Sequence, residues 1–360
     1  MAYVTLNSDK LSANYDFLDK LFKKRGIEWS VVTKMMCGNK EFLTELLKLD
    51  IKQICDSRIS NIKTIKNIRP DIQAIYIKPP AKKAIPGVVK FADISMNTEI
   101  STIKLLSKEA VKQNKKHKIV IMLEMGELRE GVLHENFINF YEKVFSLENI
   151  EIIGIGTNLN CLYGVLPSHD KLIQLSIYKQ LIEAKFNKKI KYLSGGSSVT
   201  IPLIFQDLLP KGINHFRVGE TLYHGTDVYN DSVIEGMEVD LFQLYAQIIE
   251  LKQKPGIPIG ELGTNLEGES FEPEPDMSSN ISCRAILDVG LLDIDRNHSN
   301  PKDPDVKIVG ISSDVTVVDL GNNENNYKTG DFIEFKVDYT GLLKILNSKY
   351  IDKYVITNQE

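Results

Sequence analysis

The chain has 360 residues, of which 42% are hydrophobic and 26% charged, with a net charge of −4. That balance supports a sizeable core and excludes wholesale disorder, and the mild negative charge gives no electrostatic reason to expect nucleic acid as a partner. The length exceeds one average domain and suits a barrel of about 250 residues with a smaller appendage.

The opening residues, Met1 to Asp9, lack the basic and then apolar stretch of a secretory signal. No run of about 18 apolar residues follows, so a cytoplasmic location is expected. Cys37, Cys55, Cys161 and Cys283 are scattered without a CxxC pair or nearby histidines. Free thiols are therefore expected, with neither a disulfide frame nor a metal site.

Asn7 or Ser8 can cap a first helix by accepting a bond from an unpaired amide of its first turn. From Glu28 onward short apolar runs alternate with longer amphipathic ones, the pattern of parallel strands joined by crossover helices. Strands are predicted at 30–33, 53–56, 74–77, 94–96, 119–124, 152–157, 192–194 and 215–217, and helices at 41–48, 98–114, 135–145 and 169–184. Eight such strands close a (β/α)8 TIM-like barrel, an α/β domain expected to span 1–225. Over 226–360 the texture changes to β-prone stretches at 245–251, 285–289, 307–311, 315–319 and 332–337, which predicts a C-terminal β domain. The proline-rich, acidic segment 255–280 reads as a long surface loop.

Barrel active sites gather at the carboxyl ends of the strands. At the first of these, Lys34 directly follows Ser30-Val31-Val32-Thr33, where a partly desolvated amine can form a Schiff base with an aldehyde. A lysine reaching to solvent from a strand end is the plainer alternative. Ser194-Gly195-Gly196-Ser197-Ser198 and Arg217-Val218-Gly219-Glu220 supply two glycine-bearing turns after the last two strands, where phosphate sites of this fold commonly form.

Taken in order, Val32-Thr33-Lys34, the segment Leu123 to Gly131, Gly156-Thr157-Asn158, Ser194 to Ser198 and Arg217 to Glu220 resemble the serial motifs of the alanine-racemase-like enzymes. These are fold-type-III pyridoxal-phosphate proteins, and the chain most resembles their ornithine racemase branch. The resemblance implies pyridoxal 5'-phosphate as cofactor, with Lys34 as its imine-forming lysine and the acid/base on one face. It implies that Asn158, Ser194, Gly196, Ser197, Ser198, Gly219 and Glu220 surround the cofactor, with Arg129 near the substrate carboxylate or the cofactor phenolate. Arg217 would stand where related decarboxylases carry an acidic residue facing the pyridine nitrogen. A guanidinium cannot accept that proton and disfavours it by like charge, which favours reprotonation at Cα over decarboxylation.

Departures from alanine racemase accompany the match. Gly38 stands where that family has a phosphate-reaching tyrosine, Asn158 where it has a ring-stacking histidine, and Leu291 where a second catalytic tyrosine is expected. Another group must then serve opposite Lys34, for which Asp293, Cys283, His298 and Asp314 are the β-domain candidates. The resemblance further implies a homodimer in which the partner's β domain completes the site. The expected activity is racemisation of a basic amino acid, ornithine first. Glu127, Glu130, Asp293 and Asp314 are candidates to receive its distal ammonium. The alternatives are a lysine or broad-specificity racemase, a decarboxylase or aldolase on the same fold, and a cofactor carrier that lacks a β domain. No membrane partner is expected.

Overall fold

The computed structural model describes residues 1–264, 266, 268, 270–271 and 281–358. It divides into two units, Ser8–Val239 and a second made of Met1–Asn7 with Asp240–Glu360. The division therefore falls after Val239 and not at 225/226, because residues 226–239 stay with the first unit. There the short hairpin of β11 (Thr226–Asp227) and β12 (Ser232–Val233) forms, and the Glu238 backbone is held from both sides by the Asn14 side chain.

β1 (Tyr3–Asn7) precedes the first unit, which opens with helix Ser8–Lys24. The parallel sheet of that unit comprises β2 (Glu28–Val32), β3 (Gln53–Asp56), β4 (Gln73–Tyr76), β5 (Ile94–Asn97), β6 (His117–Met122), β7 (Ile150–Gly156), β8 (Tyr192–Ser194), β9 (Gly196–Ser197) and β10 (His215–Val218). Each predicted strand is present. Neighbours pair in sequence from β2 to β8, and β10 lies between β2 and β9. Only Gly195 separates β8 from β9, so the two are one interrupted strand and the sheet comes round on itself as a nearly closed eight-fold barrel. Val32, Cys55, Ile75, Ile94, Met96, Val120, Met122, Ile153 and Tyr192 form one buried cluster drawn from β2 through β8. Helices Lys40–Leu46, Ile100–Lys112, Phe137–Phe145 and His169–Phe186 occupy the predicted amphipathic segments.

The second unit is an antiparallel sheet built on the long strand β13 (Phe242–Pro255), with β14 (Ile281–Leu287), β15 (Ser299–Pro301), β16 (Lys307–Ile311), β17 (Thr316–Asp319), β18 (Phe332–Val337) and β19 (Asp352–Ile356). Its order is β15-β18-β13-β14-β17-β16, and β1 joins it by pairing antiparallel to β13 and parallel to β19. Part of the predicted loop, including 272–280, lies outside the described residues. No helix among the described residues is long and apolar enough to cross a membrane.

Candidate active site

The carboxyl ends of β2, β10 and β9 are neighbours in the barrel sheet, with Val31 opposite Val218 and Ser197 opposite Arg217. Lys34 begins a short turn immediately after β2 and is exposed. That turn is held from both sides. Thr33 Oγ1 donates to Asp56 Oδ2 at 2.8 Å and to the Cys55 carbonyl at 3.1 Å. Tyr223 Oη donates to the Val32 carbonyl at 3.0 Å. Asp56 is fully buried and also accepts from the Arg58 amide and the Asn61 side chain, while desolvation pushes its carboxyl above the ordinary range.

Next to this turn stand the two glycine-bearing loops. In a capping box the Ser197 side chain accepts from the Thr200 amide and Thr200 Oγ1 from the Ser197 amide, and Ser198 Oγ accepts from the Thr221 amide at 3.3 Å, tying one loop to the other. Gly196 is dictated by packing: a Cβ there would lie 2.2 Å from the buried ring of Phe216 on the paired strand. Gly38 is dictated by conformation, with φ of +76° and Asn61 Oδ1 only 2.7 Å from where a Cβ would stand. A tyrosine could not stand at that position without displacing Asn61 from Asp56.

Arg217 is buried, and its recorded partners are neutral: Nη1 donates to the Ser194 carbonyl at 3.0 Å and to Ser194 Oγ, and Nη2 to the Thr157 carbonyl at 2.7 Å. No carboxylate stands among them, and desolvation lowers its affinity for the proton without bringing guanidinium loss into reach. The amide nitrogen of Asn158 is buried without a hydrogen-bond partner among the described residues. An orphaned donor of this kind calls for a ligand atom or a water.

Other expected residues have different surroundings. Arg129 is paired through two nitrogens with its neighbour Glu130. Glu127 is a structural clamp and not an ammonium receptor: its buried carboxylate accepts backbone N–H groups from Asn160 (3.0 Å), Cys161 (2.8 Å), Leu162, Tyr163 (2.9 Å) and Val165 (3.1 Å). Those bonds hold its carboxyl down to about 2 against the opposing pull of desolvation. In the second unit Asp293 is buried and accepts from Ser348 Oγ at 2.5 Å. His298 pairs with Asp338 at 2.7 Å, and Asp314 is exposed. Cys283 faces the sheet interior, where burial and Asp319 push its thiol up, a poor setting for a base. Sequence reasoning missed Asp56 and Tyr223, which brace the turn of Lys34. Their signal was a polar or aromatic-hydroxyl residue set within or beside an otherwise apolar run.

The chain matches the family model for the alanine racemase N-terminal domain over residues 6–227. It is 38% identical over 354 residues to the ornithine racemase of Acetoanaerobium sticklandii, covering 98% of this chain and 99% of that one. It is 29% identical to the lysine racemase of Thermotoga maritima, covering 97% and 96%. Among solved structures it is similar to alanine racemase of Clostridium difficile 630, with TM-score 0.79, 18% identity and 100% and 96% coverage. The alanine racemase of Bartonella henselae with covalently bound pyridoxal phosphate gives TM-score 0.75 at 20% identity, covering 99% of each chain. Barrel, strand-end loops and full-length relatives agree: the chain belongs to the alanine racemase N-terminal domain family and is an amino-acid racemase.

Proposed function

We propose that this racemase acts with pyridoxal 5'-phosphate and interconverts the L and D forms of a basic amino acid, ornithine first and lysine second. The observation that carries the cofactor reading is the adjacency of three strand ends, bearing an amine at Lys34, a guanidinium at Arg217 and the paired loops of Ser197, Ser198, Gly219 and Glu220. This donor set fits a phosphate-bearing aldehyde, and the orphaned Asn158 amide adds a donor with no protein acceptor. The names of the two full-length relatives support the substrate class.

When bound, the cofactor supplies an electron sink that acidifies the substrate Cα–H. The residues divide the remaining tasks. Lys34 moves a proton at Cα on one face. The two loops would hold the phosphate, with Ser194 fixing Arg217 and Gly196 packing against Phe216 beside them. Arg217 would keep positive charge beside the pyridine nitrogen and so disfavour its protonation, which would leave return of the proton to Cα as the easier outcome. Arg129, released from or shared with Glu130, binds the substrate carboxylate. Asp314 is the candidate for the distal ammonium. Opposite Lys34, Asp293 of a second copy is the retained acid/base candidate, in a cytoplasmic homodimer, and Cys283 is set aside because its thiol is buried and resists ionisation.

The test is deuterium incorporation at Cα from D₂O by the reconstituted protein across a panel of amino acids. Exchange and inversion of ornithine, then lysine, is the expected result. Exchange confined to alanine or serine would overturn the substrate class, and release of CO₂ or an aldehyde would favour the decarboxylase or aldolase alternative.

A further inference from the structure

The interior of the barrel contains a polar file that the site chemistry has not used. At its inner end is Ser194, whose Oγ lies 2.7 Å from His215 Nδ1 and accepts from Arg217. His215 is fully buried, with Nε2 3.0 Å from Gln53 Oε1. Gln53 Nε2 donates to Tyr192 Oη at 2.8 Å and to Gln73 Oε1 at 2.7 Å, and Tyr192 Oη donates to Glu28 Oε2 at 2.8 Å. Ser30 Oγ also donates to Gln53 Oε1, at 2.8 Å.

The direction of the bonds follows from the two ends together with a neutral imidazole, which burial and the neighbouring Arg217 charge favour. Arg217 can only donate and an ionised Glu28 can only accept. Because Tyr192 gives its proton to Glu28, its oxygen accepts from the Gln53 amide nitrogen, and the amide oxygen is turned toward His215. His215 must then donate from Nε2. A neutral ring leaves Nδ1 bare to accept the Ser194 proton, and the Ser194 oxygen is left to accept from Arg217. Reversal of the His215–Gln53 or Gln53–Tyr192 bond would set donor against donor or acceptor against acceptor; at Ser194, whose oxygen can accept twice, the direction follows from the neutral ring that burial and the Arg217 charge favour.

We propose that His215, neutral and carrying its proton on Nε2, is a positioning residue in a one-way hydrogen-bond relay running from Arg217 through Ser194, His215, Gln53 and Tyr192 to Glu28. The relay fixes the guanidinium as a donor, uses Nη1 on Ser194 and Nη2 on Thr157, and leaves two of the five guanidinium N–H groups unused by these three bonds. Chained bonds that all point one way polarise each other and hold the guanidinium as a donor, while Lys191, with Nζ 3.0 Å from Glu28 Oε1, shares the carboxylate at the far end. The assignment of Arg217 to the cofactor nitrogen rests on the function proposed above, whereas the tautomer of His215 does not.

Two measurements separate these claims. In cofactor-free protein labelled with ¹⁵N at histidine, two-bond proton–nitrogen spectra should show His215 protonated at Nε2 and bare at Nδ1, unchanged between about pH 5 and 9. A ring protonated at Nδ1, or one that titrates in that interval, overturns the relay whether or not cofactor binds. In reconstituted protein, His215→Leu and Ser194→Ala should each raise the ratio of amino transfer onto the cofactor, with release of a 2-oxo acid, to racemisation about tenfold, the loss expected for one charge-assisted hydrogen bond. His215→Asn, which offers an acceptor and a donor on one planar amide, should restore much of the wild-type ratio. An equal fall in both reactions, with their ratio unchanged, would overturn the positioning role. Failure of the wild-type protein to bind the cofactor would instead remove the racemase mechanism, with the nitrogen spectra still deciding the relay.

Discussion

Replacing Glu127 with glutamine isolates what one carboxylate does for the loop after β7. Five backbone N–H groups between Asn160 and Val165 converge on its two oxygens. A carboxylate has about four lone-pair directions, whereas a glutamine keeps one acceptor oxygen and turns an NH₂ group toward donors. About three of the five bonds are lost. Water can replace part of that loss at the exposed Leu162 and Tyr163, so the opening free energy of the loop should fall by about 2 kcal/mol, equivalent to a roughly 30-fold loss of amide-exchange protection. The pH dependence has a definite sign. The folded carboxyl sits at about 2, below its ordinary value, so its stabilisation is complete above about pH 4.5 and disappears as pH falls toward 2. Wild-type protein should lose stability through that acid interval, and Glu127→Gln should flatten the slope. Unchanged protection at amides 160–163 and 165, together with an unchanged acid slope, would refute the clamp.

Three other substitutions test neighbouring parts of the site. Gly196→Ala drives a methyl into the Phe216 ring and should cost about 2–3 kcal/mol, a fall of about 5–10 °C in Tm by calorimetry, partly relieved in a Gly196→Ala/Phe216→Leu pair. Gly38→Ala meets both a positive φ and the Asn61 oxygen, so a loss of about 1–2 kcal/mol in urea unfolding is expected. Lys34→Ala should abolish the absorbance near ~420 nm expected of the lysine imine while phosphate contacts retain cofactor weakly, and a borohydride-reducible linkage persisting in that variant would move the imine to another lysine.

The barrel was readable because each strand is a short apolar run followed by a helix of 3.6-residue period, and 53–56 and 192–194 emerge with their predicted limits. That Lys34, Arg217 and the serine loops stand at neighbouring strand ends was readable because the ends follow from the strands themselves, and strand ends are where a barrel carries its chemistry. What stayed hidden depends on partners distant in sequence. Tyr3–Asn7 looks like a leader into a helix, and only pairing with Leu244 on one side and Lys353 on the other makes it a strand. Glu127 resembles any acidic residue near a substrate until five amides from a loop more than thirty residues away are seen to fill its oxygens. His215 carries no sequence mark of a bond to Gln53, because that contact exists only when the sheet closes.

Burial of β1 between β13 and β19 has a consequence for biosynthesis. Every contact that defines the first unit is encoded between Ser8 and Val239, so that unit can complete itself while the ribosome is still translating. The second sheet cannot: the Ala2 carbonyl waits for the Asp352 amide, and the Asn7 side chain for that of Asn358. The Tyr3–Asn7 segment must therefore be kept from wrong strand partners until residues 352–356 have been made. The β sheet, with the larger loop-closure cost, should be the slow step in refolding.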